Sequence, residues 1–391
     1  MALRQYQTIK LGVVVKKFNV KKGIAKYIRL IILGLILAGS IFIHYQHIFP
    51  REKMYPSVHS ICPLGGLENL WAWINGQRNL QRIFSGTMTL FFFTVGFAFV
   101  FGRAFCGSIC PLGALQEFCS RSFGKITKKR IVVPQKADTV LRYAKYLMLI
   151  IMTLMAWITA RLWIRYFDPW AAFAHLFSDE LLSQFLVGFI ILLITLAASI
   201  FIDRFFCKYL CPSGALLGII SKVAPAKIKR NVSCNSCGMC SKSCPMNIKV
   251  SALETVKSAE CIKCGQCVSA CPTEKSDDLR ITLFGKTIKP LVFVIVTVMI
   301  FFGGLAAFQQ AGMLQVGPPS LEWVLRTGNF IKVNQLRGSM RIEQGALYVN
   351  MELSDFYTLM EIPAAVPAET RLRDVGQFVQ GWYFETIRDS R

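Results

Sequence analysis

The chain has 391 residues, 53% of them hydrophobic and 12% aromatic, and a formal net charge of +23. A mean hydropathy of +0.45 excludes an ordinary soluble globular protein. The charge would suit nucleic acid, but no recognition motif accompanies it, so membrane topology is the simpler reading.

Residues 1–29 are basic. Five apolar stretches, each about 20 residues, are long enough to span a bilayer. The first covers Tyr27–His47; it begins late and lacks a small-residue cleavage site, so it is not a cleaved signal peptide. His44 and His47 stand at its far end. The following segment, 50–85, is rich in Gly and Trp and contains His59 and Cys62-Pro63-Leu64-Gly65-Gly66-Leu67. Leu64–Ile74 is expected to form a helix lying on or dipping into the bilayer. His59 and Cys62 form a candidate site there. Histidine at such a face carries protons from a quinol or ligates haem iron or copper; otherwise it is an interfacial residue.

The second span, Gly86–Phe105, runs into Phe105-Cys106-Gly107-Ser108-Ile109-Cys110-Pro111-Leu112-Gly113-Ala114-Leu115. The third span is Tyr143–Trp163, followed by a loop bearing Asp168-Pro169-Trp170 and His175. The fourth, Phe185–Ile202, runs into Phe206-Cys207-Lys208-Tyr209-Leu210-Cys211-Pro212-Ser213-Gly214-Ala215-Leu216. Both elements read F-C-x3-C-P-x-G-A-L, each with an arginine just ahead (Arg103, Arg204), so the membrane part is an internal duplication. Proline after cysteine puts the thiol at a helix N-terminus, where free N–H groups and the dipole favour a thiolate. Cys106, Cys110, Cys207 and Cys211 therefore hold a further iron–sulfur cluster, act as redox or copper-passing thiols, or simply pack. Cys119 has no partner cysteine in this pattern and is read as packing or as a lipidation site.

Two further runs carry the strongest signal: Cys234-x2-Cys237-x2-Cys240-x3-Cys244-Pro245 and Cys261-x2-Cys264-x2-Cys267-x3-Cys271-Pro272. This spacing surrounds [4Fe-4S] cubes. Structural zinc has no use for the third cysteine, and a disulfide framework suits small secreted domains rather than lysine-rich surroundings. The fourth cysteine of each run crosses to the other cube in two-cluster ferredoxins. The expected ligand sets are Cys234, Cys237, Cys240 and Cys271 on one cube, and Cys261, Cys264, Cys267 and Cys244 on the other, within a compact unit of short helices and loops over 231–282. The fifth span is Pro290–Phe308. The tail, 312–391, is expected to be a small helical module, with helices over Met340–Gln344 and Leu353–Met360.

Residues 1–29, 103–145 and 203–289 hold 31 Lys and Arg against 8 Asp and Glu, which accounts for the whole +23. That face is expected to be cytoplasmic, with the C-terminus outside. The expected architecture is an α-helical integral membrane protein of about five transmembrane helices: a basic N-terminus (1–29), a four-helix region with two C-x3-C-P repeats (30–230), an inserted two-cluster ferredoxin-like domain (231–282), a fifth helix (289–309) and an extracytoplasmic tail (312–391).

The combination of Cys106/Cys110, Cys207/Cys211 and the two ferredoxin runs resembles the NapH-type polyferredoxins over roughly residues 28–310; the membrane parts of NosR and of the CcoG group share it. Residues 1–29 are not a flavin-binding domain of the NosR kind, and the tail does not resemble the immunoglobulin-like domain of the CcoG group. The resemblance implies electron transfer between membrane quinone and another redox protein, in the bacterial inner membrane, as a quinol dehydrogenase subunit if enzymatic. A copper reductase or metalloenzyme assembly factor, and a redox-sensing regulator, are the rival readings. No residue is assigned a catalytic role, and haem and copper stay open as cofactors. Membrane lipid, quinone and a redox protein are the expected partners.

Overall fold

The computed structural model describes residues 20–48, 63–75, 85–127, 131, 133–159, 162–178, 180–231, 234, 236–272, 279–314, 321–328, 330–333, 336, 338, 340–379, 381–384 and 387–388. Unbroken apolar sequence forms the long helices, and proline at the first helical position opens several of them, where its missing N–H costs nothing. In chain order the helices are α1 (Val20–Ile48), α2 (Pro63–Ile74), α3 (Ser85–Phe101), α4 (Ala104–Ser108), α5 (Pro111–Thr127), α6 (Gln135–Thr159), α7 (Ile164–Phe167), α8 (Pro169–Ala174), α9 (Glu180–Gln184), α10 (Leu186–Phe201), α11 (Phe205–Tyr209) and α12 (Pro212–Ser221). Then come β1 (Lys227–Arg230), α13 (Met239–Lys242), β2 (Thr255–Val256), α14 (Gln266–Ser269), β3 (Leu279–Leu283), β4 (Lys286–Ile288) and α15 (Pro290–Gln310). The tail holds α16 (Leu321–Thr327), α17 (Ile342–Val349) and α18 (Leu353–Leu359).

Among the described residues, three helices are long and apolar enough to cross a membrane, over Tyr27–Gln46, Gln135–Thr159 and Pro290–Gln310. Twenty residues at about 1.5 Å each match a hydrocarbon core of about 30 Å. The expected second and fourth spans are shorter than anticipated: α3 has 17 residues and α10 has 16. The reason is local. The chain leaves the helix at Gly102, whose φ of 62° is the left-handed conformation that ends helices, and α10 ends at Phe201, before Arg204 takes a φ of 53°. Each repeat is thus a long apolar helix, a break, a five-residue helix carrying the first cysteine, and a helix that proline opens straight after the second.

The duplication extends to individual hydrogen bonds. Cys110 N donates to Phe105 O and Cys211 N to Phe206 O, both at 2.9 Å. Ala114 N donates to Cys110 O at 3.0 Å and Ala215 N to Cys211 O at 3.1 Å.

The ferredoxin-like unit differs from the expected helices and loops. It is framed by an antiparallel sheet of order β2-β1-β3-β4, so it begins before 231 and continues past 282. Its core is also continuous with the helices. Ile228, Met246, Ile262 and Ile281 share one buried cluster with Phe97 and Phe101 of α3 and Phe301 of α15. The tail has its own core, with Val324, Ile342, Phe356, Leu372 and Trp382 buried; Trp382 Nε1 donates to Met360 O at 2.9 Å. The helix expected over Leu353–Met360 is α18, whereas the one expected over Met340–Gln344 begins after an extended Arg341 and runs on as α17.

Candidate metal centres

α4, α5, α11 and α12 bring the four repeat cysteines to one place. Cys110 interacts electrostatically with Cys207 and Cys106, and Cys211 with Cys207, Cys106 and Cys110. Helix N-termini serve them as expected: Cys211 Sγ caps α12 by accepting from Gly214 N at 3.3 Å. Gln116 Nε2 also donates to Cys207 Sγ at 3.4 Å. Yet these donors do not make free thiolates. Burial and the neighbouring cysteines push the Cys110 and Cys211 thiols up, and burial does the same to Cys207. Desolvation outweighs the dipole.

The second ferredoxin set is also gathered. Cys244, Cys261, Cys264 and Cys267 line one pocket, walled by Ile228, Met246, Ile248 and Val256. Burial and Cys264 push the Cys244 thiol up to about 12. In the first set, Cys240 lies beside Cys234 and also beside Cys267, so the two sets adjoin; Cys237 is exposed and Cys271 packs against the shared core. Among the described residues no three Cys, His, Asp or Glu side chains converge on a single-ion site. A cube offers four separate irons, so its thiolates need not converge.

Charge supplies an independent test of fit. Among the described residues, six cationic side chains are buried around these thiols: Arg29, Arg103, Lys145, Arg204, Lys208 and Lys263. Three buried carboxylates, Glu117, Asp138 and Glu260, stand against them. Arg29 Nη1 donates to Glu117 Oε1 at 2.8 Å, Arg204 Nη2 to Glu117 Oε2 at 2.7 Å, and Gln266 Nε2 to Glu117 Oε1 at 2.9 Å. Burial alone would raise the Glu117 carboxyl, but Arg29 and Arg204 hold it well below the usual range. Glu260 accepts from Lys145 Nζ at 2.6 Å and Arg103 Nη1 at 3.3 Å. With neutral thiols, the surplus cations would be buried without counter-charge, which costs several kcal/mol each. Iron ligation turns the thiols into thiolates and supplies the missing negative charge. The residues present fit clusters. Sequence reading missed this network because its pairs lie far apart in the chain, and it took these charges for surface topology; part of the positive excess is internal.

One contact joins the two kinds of thiol. Gly107, between Cys106 and Ser108, lies so close to the second ferredoxin run that a Cβ there would stand 2.1 Å from Ile262 O and 3.3 Å from Cys264 N. Lys208 occupies the equivalent position in the second repeat and lies beside Asp138 and Cys244 instead.

At the other end of α1, His44 and His175 interact and His44 packs on Trp170, with ring centroids 5.0 Å apart. His175 stacks on Phe185 and its Nδ1 lies 2.9 Å from Ala171 O, which requires the proton on Nδ1. Glu68 and Asp168, neither of which sequence reading singled out, interact with each other, and Asp168 caps α8, the helix that carries Trp170. Glu68 Oε1 accepts from Ile164 N at 2.9 Å, and burial raises its carboxyl to about 8. Burial raises Asp168 to about 6. The folded protein therefore holds protons that the unfolded chain releases, so stability falls as pH rises from the ordinary carboxyl range toward 8. Melting temperatures in detergent should drop across that window, and Glu68→Gln should flatten the slope; an unchanged slope would remove Glu68 as its source. His59, Cys62 and the His47 side chain lie outside the described residues. Cys119 is half-buried on α5, and burial pushes its thiol up.

Comparison with known proteins agrees with this chemistry. The "4Fe-4S binding domain" family matches residues 86–130 and 184–231, which are the two repeats, and the "4Fe-4S dicluster domain" family matches residues 226–272. The chain is 35% identical to the "Putative electron transport protein YccM" of Escherichia coli K12 over 209 residues, 50% of this chain and 56% of YccM. It is 24% identical to the "Ferredoxin-type protein NapH" of the same organism over 221 residues, covering 55% of this chain and 71% of NapH. It is 29% identical to the "Regulatory protein NosR" of Pseudomonas aeruginosa over 160 residues, covering 40% of this chain and 22% of NosR. The chain thus spans little more than half the length of YccM. No solved structure matches it.

Proposed function

Because the chain is a membrane polyferredoxin of the NapH/NosR type, we propose that its iron–sulfur electron transfer runs between the membrane quinone pool and a soluble redox partner. Cys234, Cys237, Cys240 and Cys271 hold one [4Fe-4S] cluster, and Cys244, Cys261, Cys264 and Cys267 the other. Cys106, Cys110, Cys207 and Cys211 hold a third. The clusters supply one-electron steps, whereas a quinol gives up two electrons and two protons. The protein's part is to hold the centres close together in a dry, positively charged surrounding. These centres lie at the cytoplasmic face of the inner membrane, where the basic segments would be. The observation that carries this reading is the Gly107 contact, which sets the repeat thiols against the Ile262–Cys264 backbone with no room for a side chain.

The test is anaerobic purification with iron, sulfide, copper and haem quantified, followed by EPR during addition of a short-chain quinol or its quinone. About twelve irons per chain are expected, about four for each cluster. Quinol should reduce the clusters, or quinone should oxidise clusters already reduced by dithionite. If neither changes the spectrum, the quinone-linked reading fails; copper bound in stoichiometric amount and lost on Cys110→Ser would point to metal handling instead.

A further inference from the structure

Arg103 and Arg204 occupy matching places in the two repeats, each three residues before the first cysteine, and each reaches across to the other repeat. Arg204 Nη1 donates to Cys106 O at 2.6 Å; Arg103 Nη2 lies 3.4 Å from Cys207 O. Glycines make room for the crossing. A Cβ at Gly113 would stand 2.7 Å from Arg204 Nη1, and one at Gly214 would stand 2.7 Å from Arg103 Nη2. Both guanidiniums are buried, with 0% and 1% exposure. Arg204 also holds a left-handed backbone, a costly conformation for a long side chain and one that persists only where the surroundings impose it.

Neither guanidinium is fully used by the protein. Arg103 Nε and Arg204 Nε are buried donors with no hydrogen-bond partner, as is Ser108 Oγ between the first pair of cysteines. An orphaned buried N–H costs about 1–3 kcal/mol and calls for an acceptor. Each guanidinium already pairs through a terminal nitrogen with a carboxylate, Arg103 with Glu260 and Arg204 with Glu117; the other ionisable groups beside them are the repeat thiols. Arg103 interacts with Cys106 and Cys211, and Arg204 with Cys207 and also with Cys264 of the ferredoxin set.

We infer that Arg103 and Arg204 form a paired cationic clamp on the cluster held by Cys106, Cys110, Cys207 and Cys211, raising its reduction potential. This rests on the third cluster proposed above. Reduction adds one electron to an already anionic centre. Fixed positive charge and N–H donors beside it stabilise the reduced form more than the oxidised one. A higher-potential centre of this kind is suited to be the partner of quinone, the weaker reductant couple of the two ends. Arg204 also touches the surroundings of Cys264, so its influence reaches two centres, whereas Arg103 acts on one.

Redox titration followed by EPR on the full-length protein, wild type and Arg103→Gln, Arg103→Lys, Arg204→Gln and Arg204→Lys, tests this. The Gln variants should lower the midpoint of the repeat centre by at least the tenfold change in equilibrium constant that equals about 59 mV for one electron. Arg204→Gln should also lower one ferredoxin midpoint; Arg103→Gln should not. The Lys variants, which keep the charge, should restore most of the shift. Unchanged midpoints at full iron content would overturn the clamp. About eight irons in the wild type would instead overturn the third cluster on which it rests. Where a Gln variant does not fold, Glu260→Gln decides by sign: removing the negative partner of Arg103 should raise the midpoint, and a fall or no change would overturn the inference.

Discussion

Among the described helical glycines, Gly107→Ala should cost the most. The new Cβ would meet Ile262 O at 2.1 Å and the Ile262 carbonyl carbon at 3.2 Å, both backbone atoms. A flexible side chain could swing away, but these are backbone atoms of a buried segment, Ile262 being 2% exposed. Overpacking a core costs about 1–3 kcal/mol even where side chains can adjust, and a rigid backbone puts this case at the upper end or beyond. The variant should melt several degrees lower, lose iron from the Cys264-bearing site, and slow electron exchange between repeat and ferredoxin centres. Gly96→Ala on α3 is the control, since nothing lies within 4 Å of its Cβ. There the gain in helix propensity of about 0.5–1 kcal/mol should make the change neutral or stabilising. Equal melting temperatures and iron contents for the two variants would show that Gly107 is not the junction.

The same position shows how a duplication acquires direction. The repeats share their helix breaks, their Cys–Pro turns and their hydrogen bonds, but one has Gly107 where the other has Lys208. Only the first can press against the Ile262–Cys264 backbone. Lys208 is buried beside Asp138, stabilising a different wall near Cys244. Symmetric thiols are thereby joined asymmetrically to the ferredoxin unit.

What the sequence made legible follows from how local each signal is. Ligand spacing is a short-range property, so both ferredoxin runs and both C-x3-C-P elements could be read without a structure, as could the proline-opened helices after Cys110 and Cys211. The charges could not. Arg29 meets Glu117 across 88 residues, and Arg103 meets Glu260 across 157; in sequence they are indistinguishable from the solvated lysines of the same basic segments. Glu68 and Asp168 were passed over for a related reason: a single carboxyl inside α2 or just before α8 carries no periodic signature, and the burial of Glu68 depends on a partner 96 residues away, Ile164 N. The sheet was missed because its strands are only two to five residues long and lie outside the cysteine runs. Helix lengths were overestimated where one residue leaves the helical region inside an apolar run, left-handed Gly102 after α3 and extended Ile202 after α10.

Crossed ligation gives the second large effect, through Cys244→Ser. Cys244 belongs in sequence to the first run, yet it lines the pocket of Cys261, Cys264 and Cys267, while Cys271 does not. If Cys244 completes the second set, Cys244→Ser and Cys261→Ser remove the same cluster. Each should lower iron by about four per chain and leave the same residual EPR signals. Cys271→Ser and Cys240→Ser should form the opposite pair and leave the other ferredoxin signal. Uncrossed ligation exchanges the partners: Cys244→Ser would then match Cys240→Ser, and Cys271→Ser would match Cys261→Ser. The comparison is between residual spectra, so it survives the general loss of stability that removing any ligand brings. It also bears on the route of electrons. In the crossed arrangement proposed above, the cluster of Cys244 would include Cys264, whose backbone stands against Gly107 and which lies beside Arg204. Its loss should isolate the repeat centre from the outer ferredoxin cluster, leaving quinol able to reduce only the repeat centre. If the outer cluster is still reduced at the wild-type rate in Cys244→Ser, electrons reach it by another path, and the Cys264-bearing cluster is not the intermediate.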